Sequence, residues 1–210
     1  MFTVVVIFIF AAVLGTAMRE GLWSNTLRLF NVIFAGLVAS TLGPSVAVTL
    51  RGLAPSRVFF FNFLALWLIF WIVCGLLQIS TNKLSTVKVK FDPKVNLYGG
   101  YAMAFLLACV FTSFAMFTMH QAPLAKSFMF NGFKSSERMV MGTAPDRQWY
   151  TFYSYVGGGA MGGATEAKSF DEYRRGCDNF RSALEENVKR TGTTANRTDG
   201  SALKKRAHIH

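Results

Sequence analysis

The chain has 210 residues, of which 52% are hydrophobic, 15% aromatic and only 16% charged, whereas charged residues make up about 25% of an ordinary soluble domain. This composition excludes a typical soluble globular protein. On a soluble protein, a net charge of +11 would indicate nucleic-acid binding. Here the basic residues of the first half lie in short gaps between apolar runs. This placement indicates that the partner is a lipid bilayer and not nucleic acid.

Four uncharged apolar runs predict four membrane-spanning helices. A spanning helix needs about 20 mostly apolar residues, because each residue advances it by about 1.5 Å through a hydrocarbon layer of about 30 Å. The runs lack the alternation of a spanning strand, and a helix satisfies its own backbone hydrogen bonds in lipid. We therefore expect an all-α, multi-pass membrane protein with a four-helix transmembrane bundle in residues 1–123. The runs are Phe2–Met18, Leu29–Leu50, Val58–Ser80 and Leu97–Met119.

The first run could also be a cleaved signal peptide. Such a peptide begins with a positively charged region, which this N-terminus lacks, and Arg19 and Glu20 directly follow the apolar residues. We therefore expect a retained helix.

The expected orientation rests on the distribution of lysine and arginine. The loops after the first and third runs together hold six basic residues, and the other side holds five up to residue 139. Basic loops favour the cytoplasm, and the uncharged N-terminus adds to this small difference. We expect the N-terminus and the tail to lie outside the cytoplasm.

Small residues inside the runs mark candidate contact faces, since they let helix backbones approach closely in lipid. Several are four residues apart, which places them on one face of a helix. Polar residues of the runs, such as Asn31 and Gln78, are expected to hydrogen-bond between helices. The candidate packing residues are Gly15, Gly36, Ser40, Gly43, Gly99, Gly100 and Ala104.

Pro44 lies inside the second run and is expected to kink that helix or to end it near Leu42. Proline donates no backbone hydrogen bond and clashes with the carbonyl one turn back. Such a break either lines a cavity or a substrate path, or is a plain kink. None of the four runs contains Asp, Glu, His, Lys or Arg, which argues against proton-coupled pumping.

The tail carries one strong helical pattern, over Ser169–Arg190. Ser169 and Glu172 form a capping box at its start, and apolar residues recur at steps of three and four. This amphipathic helix could pack on the membrane surface, on the aromatic stretch Trp149–Val156, or on a partner protein. Its candidate partner-binding residues are Phe170, Tyr173, Phe180 and Leu184.

The rest of the tail is divided by composition. Gly157–Gly163 is glycine-rich and is expected to act as a hinge. Residues 124–190 are expected to form an extramembrane region, and residues 191–210 are polar and without pattern, which predicts disorder.

No catalytic, cofactor-binding or metal-binding residue is predicted, and we expect no enzyme. The sequence has no GxSxG, HExxH or CxxC motif, and Cys74, Cys109 and Cys177 are far apart. His120 precedes no nucleophile at a known spacing, so no triad can be assembled from the sequence.

Two segments resemble the colicin V production protein family of bacterial inner-membrane proteins. Gly15–Leu37 has the glycine, the basic residue and the second glycine of that family near a helix end, here Gly15, Arg19 and Gly21. Val95–Leu107 resembles the glycine-rich start of the family's last helix. Glu20 departs from the pattern by separating the basic residue from the second glycine, and Met103 stands where members often carry a basic residue.

The resemblance covers residues 1–123 and implies a multi-pass protein of the bacterial plasma membrane. Family members are tied to export of a peptide toxin and to envelope maintenance, and in some bacteria the module anchors an extracytoplasmic protease. Two functions follow as expectations. One is a transport or envelope-maintenance component, a homo-oligomer or a subunit with a membrane-protein partner. The other is a membrane anchor or scaffold that recruits a partner through the C-terminal helix.

Overall fold

The computed structural model describes residues 2–53, 58–84, 91–122, 144–159, 169–186 and 190, and these are almost entirely helical. The helices are α1 (Phe2–Ala17), α2 (Leu22–Leu53), α3 (Val58–Leu84), α4 (Pro93–Met119) and α5 (Pro145–Gly159). Residues 170–186 are helical too, and we call residues 169–186 the C-terminal segment. The predicted disordered tail at 191–210 and most of the predicted hinge lie outside the described residues.

Three helices, α2, α3 and α4, are long and apolar enough to cross a membrane. This confirms three of the four predicted membrane-spanning segments by length and composition. α1 is also apolar, but it has 16 residues and is only about 24 Å long, short of the ~30 Å hydrocarbon layer.

α2 is longer than the predicted span at both ends. It begins at Leu22, seven residues before the apolar run, because the side chain of Asn96 on α4 supplies a partner for its first backbone amide, as described below. It also continues through Pro44 to Leu53, so the helix does not end at Leu42. Helices in membranes tolerate an internal proline where neighbouring groups compensate for the lost hydrogen bond. The alternative, a kink at Pro44, stays a prediction.

The helices pack around α2 and α4, which run parallel to each other. At one end of the molecule, the backbone N–H of Leu22 and the side chain of Asn25, both on α2, bond to Asn96 and Gly100 of α4. α3 runs the opposite way along α2, α1 packs against α4, and α5 packs on the far end of α4. We call the end with the α1–α2 turn the turn end, and the end with His120 the tail end.

The core alternates small and aromatic side chains. Ala35, Ala39, Ala104 and Ala108 are fully buried where α2 and α4 approach, which small residues permit. Stacked rings fill the wider space beside them, with Phe70 and Phe114 4.7 Å apart between ring centroids. Large apolar side chains remain exposed on the outer faces of the helices, as expected for surfaces in contact with lipid: Ile7, Phe8, Phe30, Phe34, Leu68, Trp71 and Phe105.

Candidate binding cavity at the turn end

The α1–α2 turn is held by Asn96, which reaches across from α4. Its Oδ1 accepts a hydrogen bond of 3.0 Å from the backbone N–H of Leu22, one of the amides that a helix start leaves without a partner. Gly21 lies directly beneath this side chain, and a Cβ there would come within 2.9 Å of Asn96 Oδ1. A larger residue at position 21 would therefore have to displace the Asn96 side chain from this hydrogen bond.

Asn25 joins three parts of the chain at the turn end. It is fully buried, and its Nδ2 donates to the backbone carbonyls of Ala17 (2.9 Å) and Gly100 (3.1 Å). One amide thereby adds a second donor to the Ala17 carbonyl, which also accepts from the backbone N–H of Glu20, and fixes α1, α2 and α4 to one another.

We expect Asn25→Leu to lower the free energy of unfolding by about 2 kcal/mol, because the buried hydrogen bonds that join α2 to the end of α1 and to α4 are lost while the volume is nearly kept. Thr26→Ala is the matched control, since that hydroxyl bonds only to Leu22 in its own helix turn. Equilibrium unfolding by SDS in mixed micelles measures both. A loss for Asn25→Leu no larger than that for Thr26→Ala would contradict the bridging role.

A cavity of about 600 Å³ opens beside this turn. This volume falls within the range of small-molecule sites, about 300–1,000 Å³. Amide and hydroxyl side chains from α2, α3 and α4 provide both donors and acceptors. The lining residues are Arg19, Glu20, Gly21, Trp23, Ser24, Leu27, Arg28, Asn31, Gln78, Thr81, Asn82 and Asn96.

The charges of the cavity are two arginines and one glutamate. Arg28 Nη2 lies 2.8 Å from Glu20 Oε1, a half-exposed ion pair that leaves the lining with one net positive charge, and Arg19 is exposed at the rim. Deeper in the cavity the buried Asn31 donates to Thr81 Oγ1 at 3.2 Å, which ties α2 to α3. The arrangement suits a polar or anionic ligand.

A second polar cluster lies at the tail end. His120 Nε2 and Asp146 Oδ2 are 2.9 Å apart, and the two side chains are 0% and 2% exposed. Arg181 is also buried and donates to the backbone carbonyls of Met119 and His120, each at 3.0 Å. Its guanidinium caps the C-terminus of α4, where cations are favoured. Burial lowers the pKa of Arg181, an effect that nearby Asp178 opposes.

The sequence reasoning missed this cluster. Arg181 lies off the apolar face predicted for the C-terminal helix, and nothing in the local pattern shows that it is buried. The one available signal is Asp146 in the first turn of α5, directly after Pro145, which marks a helix start. Its partner His120 lies 26 residues away, beyond any local pattern.

The C-terminal segment turns two of its predicted partner-binding residues inward. Phe170 meets the edge of His120 with 5.7 Å between ring centroids, and Tyr173 stacks on Phe117 at 5.3 Å. The Tyr173 hydroxyl accepts from Gln121 Nε2 at 2.9 Å, and burial raises the pKa of this tyrosine well above its ordinary value. Both rings also pack on Tyr150 of α5, with 5.6 and 5.0 Å between ring centroids. Of the three packing alternatives, these contacts select the aromatic stretch, which lies within α5. Phe180 and Leu184 are half-buried.

The predicted packing glycines have different surroundings. Gly36 lies under Trp149 of α5, whose Nε1 also donates to Ser40 Oγ at 3.3 Å. A Cβ added at Gly43 would lie 3.7 Å from Leu66 of α3, an ordinary contact distance, so this position does not require glycine for space.

The remaining candidate packing residues are either packed near the turn end or have open space around them. Gly99 and Gly100 lie close against Leu22 and the backbone of Glu20, and Ala104 is fully buried. Gly15 meets no described atom within 4 Å of where a Cβ would be. Of the three family-like residues Gly15, Arg19 and Gly21, the last two line the cavity.

Metal-ligating side chains are dispersed in the described part of the chain, which brings no three His, Cys, Asp or Glu residues together. Cys74, Cys109 and Cys177 are free thiols. Burial raises the pKa of the Cys177 thiol.

No family model, curated protein or solved structure matches this chain. The resemblance to the colicin V production family therefore stays a prediction from the motifs themselves.

Proposed function

We propose that this protein is a ligand-binding component of the bacterial plasma membrane, acting in peptide export or in maintenance of the envelope. The observation that supports this most is the polar cavity of about 600 Å³ at the turn end. The resemblance of Gly15, Arg19 and Gly21 to the colicin V production family supplies the cellular setting. In this proposal four apolar helices form the bundle, and the turn end faces the cytoplasm.

The chemistry of the lining defines the ligand class. Amides at Asn31, Gln78 and Asn82 provide donors and acceptors, and Arg19 adds a positive charge at the rim. Trp23 offers an aromatic face for an apolar part of the ligand. These groups favour an anionic polar molecule or headgroup over an apolar one, because an apolar ligand would leave the amides without partners.

The anchor or scaffold alternative is the second candidate. It requires Phe170 and Tyr173 as partner-binding residues, and both pack on the tail end of α4 and on Tyr150 of α5. A partner would therefore meet the outer, charged face of the C-terminal segment, which includes the exposed Glu172 and Arg175. For this reason we place the ligand-binding role first.

Native mass spectrometry of the protein extracted from bacterial membranes in mild detergent tests the proposal. We expect a small anionic molecule to co-purify, and Ser24→Trp to reduce its occupancy at least tenfold, because the indole would occupy the cavity. Ser45→Trp is the matched control, since Ser45 is exposed in the other half of α2. Equal occupancy in the two variants, or no bound molecule in the unmodified protein, would contradict the proposal. Flux of the identified molecule across liposomes then distinguishes transport from anchoring.

A further inference from the structure

The position of α5 along the bundle can be read from its contacts. Trp149 meets Gly36 and Ser40, which at about 1.5 Å per residue lie roughly 21 and 27 Å along α2 from Leu22. The same indole packs on Phe114, whose ring centroid is 5.2 Å away and which is about 9 Å inside the end of α4 at His120. α5 therefore lies beside the bundle, and its contact with α4 is displaced from the tail end toward the turn end.

Apolar surface continues beyond this level toward the tail end. Leu42 and Val48 of α2 are 49% and 63% exposed, and Val48 lies about 18 Å further along the helix than Gly36. Phe60, near the start of α3 and toward the same end of the molecule, is 45% exposed. If the bilayer ended at the level of α5, these exposed apolar side chains would lie in water. The apolar surface of the spanning helices thus extends past α5.

The outward faces of α5 and of the C-terminal segment differ in chemistry. Phe152 and Tyr155 of α5 are 40% and 82% exposed. The C-terminal segment exposes Glu172 and Arg175 instead, and its buried Arg181 covers the end of α4. Aromatic side chains with an apolar body and a polar tip are typical of the membrane–water interface, and charged side chains are typical of the aqueous side.

We propose that α5 lies within the interfacial layer of the bilayer at the tail end, with Phe152 and Tyr155 in contact with lipid, and that the C-terminal segment covers it on the aqueous side. This differs from the expectation that residues 124–190 are extramembrane. At this depth His120 Nε2 and Asp146 Oδ2 are each other's partners, which lowers the cost of placing these polar side chains near lipid. The inference does not depend on a ligand in the cavity at the turn end.

Photolabelling of the unmodified full chain tests this position. The protein is reconstituted at one copy per nanodisc in phosphatidylglycerol and phosphatidylcholine that carries a diazirine on the acyl chain near the headgroup, irradiated and digested with trypsin. Cleavage after Arg147 and Lys168 releases α5 within a single peptide, residues 148–168. We expect lipid adducts on this peptide at a yield within about threefold of that on the spanning segments, and at least tenfold lower yield on residues 176–181 and 182–189.

Two results would overturn the proposal. Adduct yields on residues 148–168 as low as those on the C-terminal segment would place α5 in water or under a protein partner. Adducts distributed equally over both segments would remove the proposed boundary between them. Tyr155→Glu in the same experiment should lower the yield on residues 148–168 at least threefold by drawing the helix toward water, whereas Arg175→Glu should leave it unchanged.

Discussion

Asp146→Leu is expected to lower the free energy of unfolding by about 3 kcal/mol, because it removes the carboxylate that His120 contacts in a site closed to solvent. The change would also free the start of α5 from the end of α4. SDS unfolding in mixed micelles measures the loss. Limited trypsin digestion measures the release, since Arg147 becomes a faster cleavage site when α5 detaches.

Asp146→Asn is the matched control for this pair. The asparagine keeps the size and one oxygen toward His120 Nε2, so we expect a loss of no more than about 1 kcal/mol. The double variant His120→Leu with Asp146→Leu should lose less than Asp146→Leu alone, because no polar group is left unpaired. Additive losses in this cycle would show that the two side chains do not stabilise each other.

Gly36→Val is expected to separate α5 from α2, with a loss of about 2–3 kcal/mol. A Cβ at Gly36 would lie 2.6 Å from two carbons of the Trp149 ring and 3.3 Å from Phe114. The indole is nearly fully buried and hydrogen-bonded to Ser40, so it has little room to move. Unfolding in mixed micelles and the rate of trypsin cleavage at Arg147 both report the change.

Gly15→Ala and Gly75→Ala provide controls, since nothing lies within 4 Å of a Cβ at either helical position. We expect both to leave stability unchanged or to raise it by up to about 1 kcal/mol, as alanine is the better helix former. Combining Gly36→Val with Trp149→Ala should restore much of the helix packing at α2. Wild-type cleavage kinetics in Gly36→Val alone would show that the indole does not hold α5 in place.

The local sequence predicts which segments form spanning helices better than it predicts the residues at which each helix begins and ends. Val58–Ser80 and Leu97–Met119 match α3 and α4 closely, because the transfer of an uncharged stretch into lipid depends only on its own composition. The start of α2 was missed by seven residues, since it depends on a side chain 74 residues away, Asn96. Small residues were found by their spacing, but the spacing did not distinguish Gly36, which is packed, from Gly15, which is open.

The sequence by itself determined that the described part of this chain consists of helices, three of them apolar and of membrane-spanning length, since hydrophobicity and length act one helix at a time. Only the tertiary structure decided which polar residues meet. The cavity takes side chains from α2, α3 and α4, and the tail-end cluster joins His120, Asp146 and Arg181 from three separate segments. Such contacts depend on how the helices are placed against one another, and no periodicity within one helix records that placement.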